Sequence, residues 1–124
     1  MAASSDTGGV AGAKAEGAAV TRFDNVMAAL GSVLFRWCLL EAALGAGLKP
    51  VGALEGDIDH VRSQRNMIVH GLVSVSIDPV TGTTSIQCKR NRNPGAPHRI
   101  FSLPELQAMA QAMDSCRLRL LRSQ

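Results

Sequence analysis

The amino-acid sequence predicts a mainly α fold: a small antiparallel-type helical bundle with a β-hairpin inserted before the last helix. Three apolar stripes at helical spacing carry that prediction. Between the second and third stripes the apolar period changes from about 3.6 to 2, which places paired strands there.

Residues 1–18 are rich in Ala, Gly and Ser with scattered charge and no periodicity. Such a composition buries too little apolar surface to offset its ordering entropy, so this segment is expected to be a flexible tail preceding a single domain over 19–124. From Val20 to Leu48 the residues Phe23, Met27, Leu30, Leu34, Trp37, Leu44 and Leu48 recur in steps of three and four, the stripe of a long amphipathic helix. Glu41 continues the rhythm between Trp37 and Leu44 and puts a carboxylate where a core side chain is expected. Gly45, Gly47 and Pro50 then stop the helix.

A second helix is predicted from Leu54 to His70, with Ile58, Val61, Ile68 and Val69 on one face and Gly71 as its C-terminal cap. Arg65 interrupts this apolar face, while Asn66 and His70, four apart, share its flank. Val73, Val75 and Ile77 alternate with polar residues, Asp78-Pro79-Val80-Thr81-Gly82 is turn chemistry, and Ile86 and Cys88 resume the alternation. The segment 89–99 holds Lys89, Arg90, Arg92 and Arg99 with no acidic residue, and reads as a basic loop. Ser102-Leu103-Pro104-Glu105 is a capping box with proline in the first turn, and Leu106, Met109, Met113, Cys116 and Leu120 form the last stripe.

Composition narrows the classes of function. At 124 residues the chain has room for one core and no second catalytic domain. Thirteen Lys and Arg against ten Asp and Glu give a net charge of +3, which permits a phosphate-bearing partner, but with one Trp, three Phe and no Tyr a base-stacking platform is not expected. Cys38, Cys88 and Cys116 form no Cys-x-x-Cys pair, so they suggest neither a disulfide framework nor a zinc site, and are expected as buried apolar residues in a reducing, cytoplasmic setting. The first residues lack the charge pattern of a secretory leader, and no uncharged run of membrane-spanning length is seen, so no membrane role is expected. Three stripes and a hairpin make a thin core, and a homodimer that completes it is expected.

A guanidinium in an apolar stripe is costly unless paired. Pairing Arg65 with Glu41, within one chain or across a dimer, would explain both interruptions. The chemistry next to it is less easily structural: a cation, an amide and an imidazole converge at one helix end, a set suited to holding a phosphate and moving a proton near neutral pH. The alternative for His70 is a helix-end histidine that only bonds the last carbonyls.

Arg65-Asn66-x-x-x-His70 followed by Gly71, at the end of an amphipathic helix, resembles the signature of HEPN domains. The resemblance is strongest over residues 57–71. It implies a helical bundle that pairs two motifs by dimerising and, in many members, acts as a metal-independent endoribonuclease of toxin or defence systems, with no cofactor. Carried over, His70 would be the general acid or base, Arg65 would hold the scissile phosphate and Asn66 would orient it. The resemblance also admits an antitoxin protein as a partner. By position and charge alone, Glu41 and Arg62 are expected to support the site, Arg62 otherwise forming a surface pair with Asp59. Lys89, Arg90, Arg92 and Arg99 are expected to contact phosphates where RNA binds, a solvated basic surface being the alternative. The other expectation is a non-catalytic module of the same fold that dimerises or binds a nucleotide or protein.

Overall fold

The computed structural model describes the backbone of residues 2–89, 95 and 97–124, and the side chains of residues 17, 22–89, 95 and 97–124. Helices α1 (Ala2–Gly45) and α2 (Ala53–Gly71) lead into strands β1 (Leu72–Ile77), β2 (Thr84–Lys89) and β3 (His98–Ser102), and helix α3 (Leu103–Arg122) follows. The fold is therefore mainly helical, with a small antiparallel sheet of order β1-β2-β3 inserted before the last helix.

Helix α1 begins at Ala2, not at the end of the expected tail. Propagating an existing helix gains one hydrogen bond per residue fixed, and the leading segment is rich in alanine, the best helix former. The orientation of α1 also differs from its expected stripe. Val26, Ala29, Leu30, Val33, Trp37 and Leu40 are buried, whereas Phe23, Met27 and Leu34 are exposed. This helix is apolar around most of its circumference, so periodicity does not single out the face that packs. The helix ends at Gly45, and Gly47 takes φ 94° in the turn that follows.

By length and hydropathy, residues 22–45 are apolar enough to cross a membrane, although Asp24, Arg36 and Glu41 interrupt the segment and leave no long uncharged run. One face of this helix, with Val26, Val33, Trp37 and Leu40, is packed inside the fold.

Helix α2 buries Leu54, Ile58, Val61 and Ile68, while Val69 is exposed. Helix α3 buries the whole of its predicted stripe. Its capping box is formed in both directions: Ser102 Oγ accepts from the Glu105 N–H at 3.2 Å, and Glu105 Oε1 accepts from the Ser102 N–H at 3.3 Å. Half-exposed ion pairs tie this helix to its neighbours, Arg36–Asp114 at 2.7 Å to α1 and Arg119–Asp57 at 2.6 Å to α2. Pairs of this exposure contribute little, on the order of 0–1 kcal/mol each, and the buried stripes hold the bundle.

The hairpin forms as expected, with Val75 opposite Ile86 and Ile77 opposite Thr84. Asp78 shapes the turn by accepting from the Val80 N–H at 2.8 Å, and Gly82 closes it at φ 70°. A third strand, β3, stands where the end of the basic loop was expected. Ile86 pairs with Phe101, which is 1% exposed, and Lys89 pairs with His98. Only Phe101 of this five-residue strand is buried, too short an alternation to register as a strand in sequence.

Gly71 has a function other than the expected cap. Its φ is not positive, and the chain passes from α2 directly into β1 through Leu72 at φ −60°, ψ 121°. A Cβ at Gly71 would collide with the backbone carbonyl of Lys89. Glycine here lets the end of β2 close against the end of α2.

Gly71→Ala should lower stability by about 1–3 kcal/mol as the sheet is forced off α2. Gly56→Ala, where a Cβ meets nothing within 4 Å, should raise it by up to about 1 kcal/mol, read from urea midpoints. The turn adds a pH dependence. Hydrogen bonds from the Val80 and Thr81 N–H groups hold the Asp78 carboxyl below its usual 3.8. A carboxyl more acidic folded than unfolded stabilises above the unfolded value and loses that effect as pH falls through the folded one. Asp78→Ala should therefore flatten the decline in stability below pH 3.8.

Candidate functional site

The predicted site residues fall on the C-terminal half of α2 and on the element pressed against it. Arg62, Asn66 and His70 recur every four residues and so share one side of the helix. Gly71 brings the end of β2 to the same place, and Lys89 joins them. Together with Asp59, Ser63 and Met67 these residues line a cleft of about 490 Å³.

Within the cleft Arg62 is bound to Asp59 through an Nη1–Oδ1 contact of 2.6 Å, one helical turn apart. Asn66 is oriented from behind: Arg65 Nη1 donates to its Oδ1 at 2.8 Å, which leaves the amide NH₂ as its donor end. His70 is exposed, on the last turn of α2. Lys89, Arg62 with its Asp59 partner, an amide donor and an imidazole around an open cleft can hold an anion the size of a phosphate, provided Arg62 shares its guanidinium between Asp59 and the anion, and can exchange a proton with a group beside it. Among the described residues no group of three or more His, Cys, Asp or Glu side chains could hold a metal ion.

The expected Arg65–Glu41 ion pair is not formed. Each residue instead engages Trp37 of α1. The indole Nε1–H donates to Glu41 Oε2 at 2.6 Å, while the guanidinium carbons of Arg62 and Arg65 stand 5.8 and 5.9 Å from the centre of the ring. The rotation of α1 explains the difference, since it puts Trp37 in the core at 4% exposure and leaves Glu41 exposed at the rim. Arg65 lies within its apolar stripe as expected, half-buried against the ring, but it does not line the cleft. Its Nε is enclosed with no hydrogen-bond partner.

The expected phosphate contacts separate from one another. Lys89 lines the cleft. Arg99 is engaged elsewhere, 3.4 Å from Glu105 and stacked 4.9 Å from the Phe101 ring. Arg90 and Arg92 lie outside the described residues. Ser63 is a lining residue that the motif does not include, although its spacing of three from Asn66 and seven from His70 places it on their side of the helix. Cys38 is exposed, unlike Cys88 and Cys116, whose thiols burial pushes up from their usual value of 9.0.

Compared with protein families, with curated proteins and with solved structures, the chain matches none.

Because Glu41 accepts from Trp37 and not from Arg65, substitutions at the three positions should differ. Trp37→Phe leaves no indole donor and should cost about 1 kcal/mol. Glu41→Gln keeps an acceptor oxygen and should cost less. Arg65→Met should stay within about 1 kcal/mol of wild type, since the forfeited attraction between guanidinium and ring is offset by removal of a donor without a partner. Urea unfolding of the three variants checks the order, and a loss of several kcal/mol in both Glu41→Gln and Arg65→Met would restore the direct pair.

Proposed function

We propose that this protein is a metal-independent endoribonuclease of the HEPN type, acting on RNA in a cytoplasmic toxin or defence system whose antitoxin would be a second protein. The observation that carries this reading is the meeting of Arg62, Asn66, His70 and Lys89 in one cleft. Arg62 and Lys89 neutralise a backbone phosphate, and the amide NH₂ of Asn66 donates to one of its oxygens.

The imidazole of His70 takes the proton of the ribose 2′-hydroxyl. The freed oxygen attacks phosphorus, and the bond to the 5′-oxygen breaks, leaving a 2′,3′-cyclic phosphate and a 5′-hydroxyl end. The leaving oxygen takes up the proton from an imidazolium or from water. In this assignment Arg65 acts through Asn66, and Arg62 has the phosphate-holding role that the motif alone would give to Arg65.

A second reading is a non-catalytic module of the same type that binds a nucleotide phosphate. It is favoured by the position of Arg65, which is turned to Trp37 and Asn66 and away from the cleft.

The two readings separate on incubation of the purified protein with a mixed RNA pool in chelator. Cleavage that leaves cyclic-phosphate ends and falls about 10²- to 10⁴-fold in a folded His70→Ala variant is the expected result. Arg62→Ala and Lys89→Ala should each weaken RNA binding and make the salt dependence shallower. Saturable nucleotide binding without cleavage of any RNA would favour the binding module.

A further inference from the structure

One side chain of the α2 cleft opposes the binding of an anion. Asp59 stands one helical turn before Arg62, lines the same cleft, and accepts from the Arg62 Nη1 at 2.6 Å with 63% of its own side chain exposed. Arg62 and Lys89 are the cations of the described lining, and Asp59 is its carboxylate. When the imidazole of His70 is neutral, this lining carries a single net positive charge. Arg65 meets the cleft only through Asn66, its guanidinium being shared with the Trp37 ring.

That charge matches one class of phosphate. A phosphodiester inside a strand carries one negative charge, and seated between Lys89 and the free edge of Arg62 it brings the cleft to neutrality. A phosphate monoester, at a strand end or on a mononucleotide, has its second pKa near about 6 and carries two charges above it. It would leave the cleft net negative, with the Asp59 carboxylate facing it across the guanidinium at roughly 7 Å, the width of that group and two hydrogen bonds. At this separation one further unit charge changes an affinity by about three- to tenfold in surroundings between bulk water and a protein surface. Without Asp59 the same lining would carry two positive charges and match the dianion.

We propose that Asp59 is a specificity-determining residue of this cleft. By occupying one edge of Arg62 and cancelling one of the two cations, it favours the singly charged phosphodiester within a strand over the doubly charged monoester of strand ends and mononucleotides. The inference rests on the reading of the cleft as a phosphate site. It does not require that the bound phosphodiester be cleaved.

Two probes that differ by one methyl group isolate the charge: 2′-O-methyladenosine 3′-phosphate, a monoester, and its methyl ester, a phosphodiester. Neither can undergo 2′-hydroxyl attack. Trp37 is the chain's single tryptophan and Arg62 stands 5.8 Å from its ring centre, so its fluorescence follows an anion that draws on that guanidinium. Titrations of the full chain at pH 8, where the monoester is a dianion, should show the methyl ester bound at least as tightly as the monoester. Asp59→Asn should shift the ratio of the two affinities about three- to tenfold toward the monoester, and Arg62→Ala should weaken both. Asp59→Ala, at a position exposed to solvent, should shift the ratio in the same direction. A variant that weakens or strengthens both probes alike would make Asp59 only a support for Arg62 and overturn the inference, as would a wild type that prefers the monoester. Binding of neither probe by wild type would remove the phosphate reading of the cleft, and this inference with it.

Discussion

Trp37 sets the relation between α1 and α2. A ring of this size goes into a core at the cost of desolvating its N–H unless an acceptor is supplied, and Glu41, one turn further on, supplies it at 2.6 Å. The ring face then becomes the surface on which α2 rests its two cations, with Arg62 and Arg65 at almost equal distances from the centroid. Arg65 spans both environments: its Nε is enclosed, its guanidinium lies beside the ring, and its Nη1 donates to Asn66. A polar site at the edge of a small core is thus held by an aromatic ring that is itself part of that core.

The second constraint is the contact between Gly71 and the carbonyl of Lys89. The last turn of α2 would ordinarily be separated from a strand by side chains on both elements. Removing one Cβ brings the strand end close enough to add a lysine to a cleft otherwise built from a single helix. The cleft therefore depends on the sheet as well as on α2. A glycine directly after the histidine has a steric reason, independent of any left-handed conformation.

Much of this is legible from sequence because local signals and packing agree. Helix α3 announces itself through Ser102 and Glu105 at the start and an uninterrupted stripe thereafter, and all five of its predicted core residues are buried. The second helix, the hairpin and the grouping of Asn66 with His70 follow from spacing alone. The face of α1 does not, because a helix apolar on two sides gives no unique direction, and the expected rotation carries Glu41 into the core and into a pairing with Arg65. The β3 strand is hidden because its one inward anchor, Phe101, lies beyond a run of basic and turn-forming residues. Lys89 reads in sequence as part of a loop, and only the three-dimensional approach of β2 to Gly71 places it beside His70's helix end.

On the proposed reading, phosphate is handled in the cleft formed by Arg62, Asn66, His70 and Lys89. The chain's three histidines make this directly observable, since their imidazole C–H resonances can be followed separately. The most direct measurement is a titration with a 2′-O-methyl oligoribonucleotide, which cannot undergo 2′-hydroxyl attack. The His70 resonance should show a saturable shift that weakens with added salt and is lost in Arg62→Ala, with His60, which lines clefts facing α3, unmoved. Binding that shifts His60 and leaves His70 unchanged would contradict it.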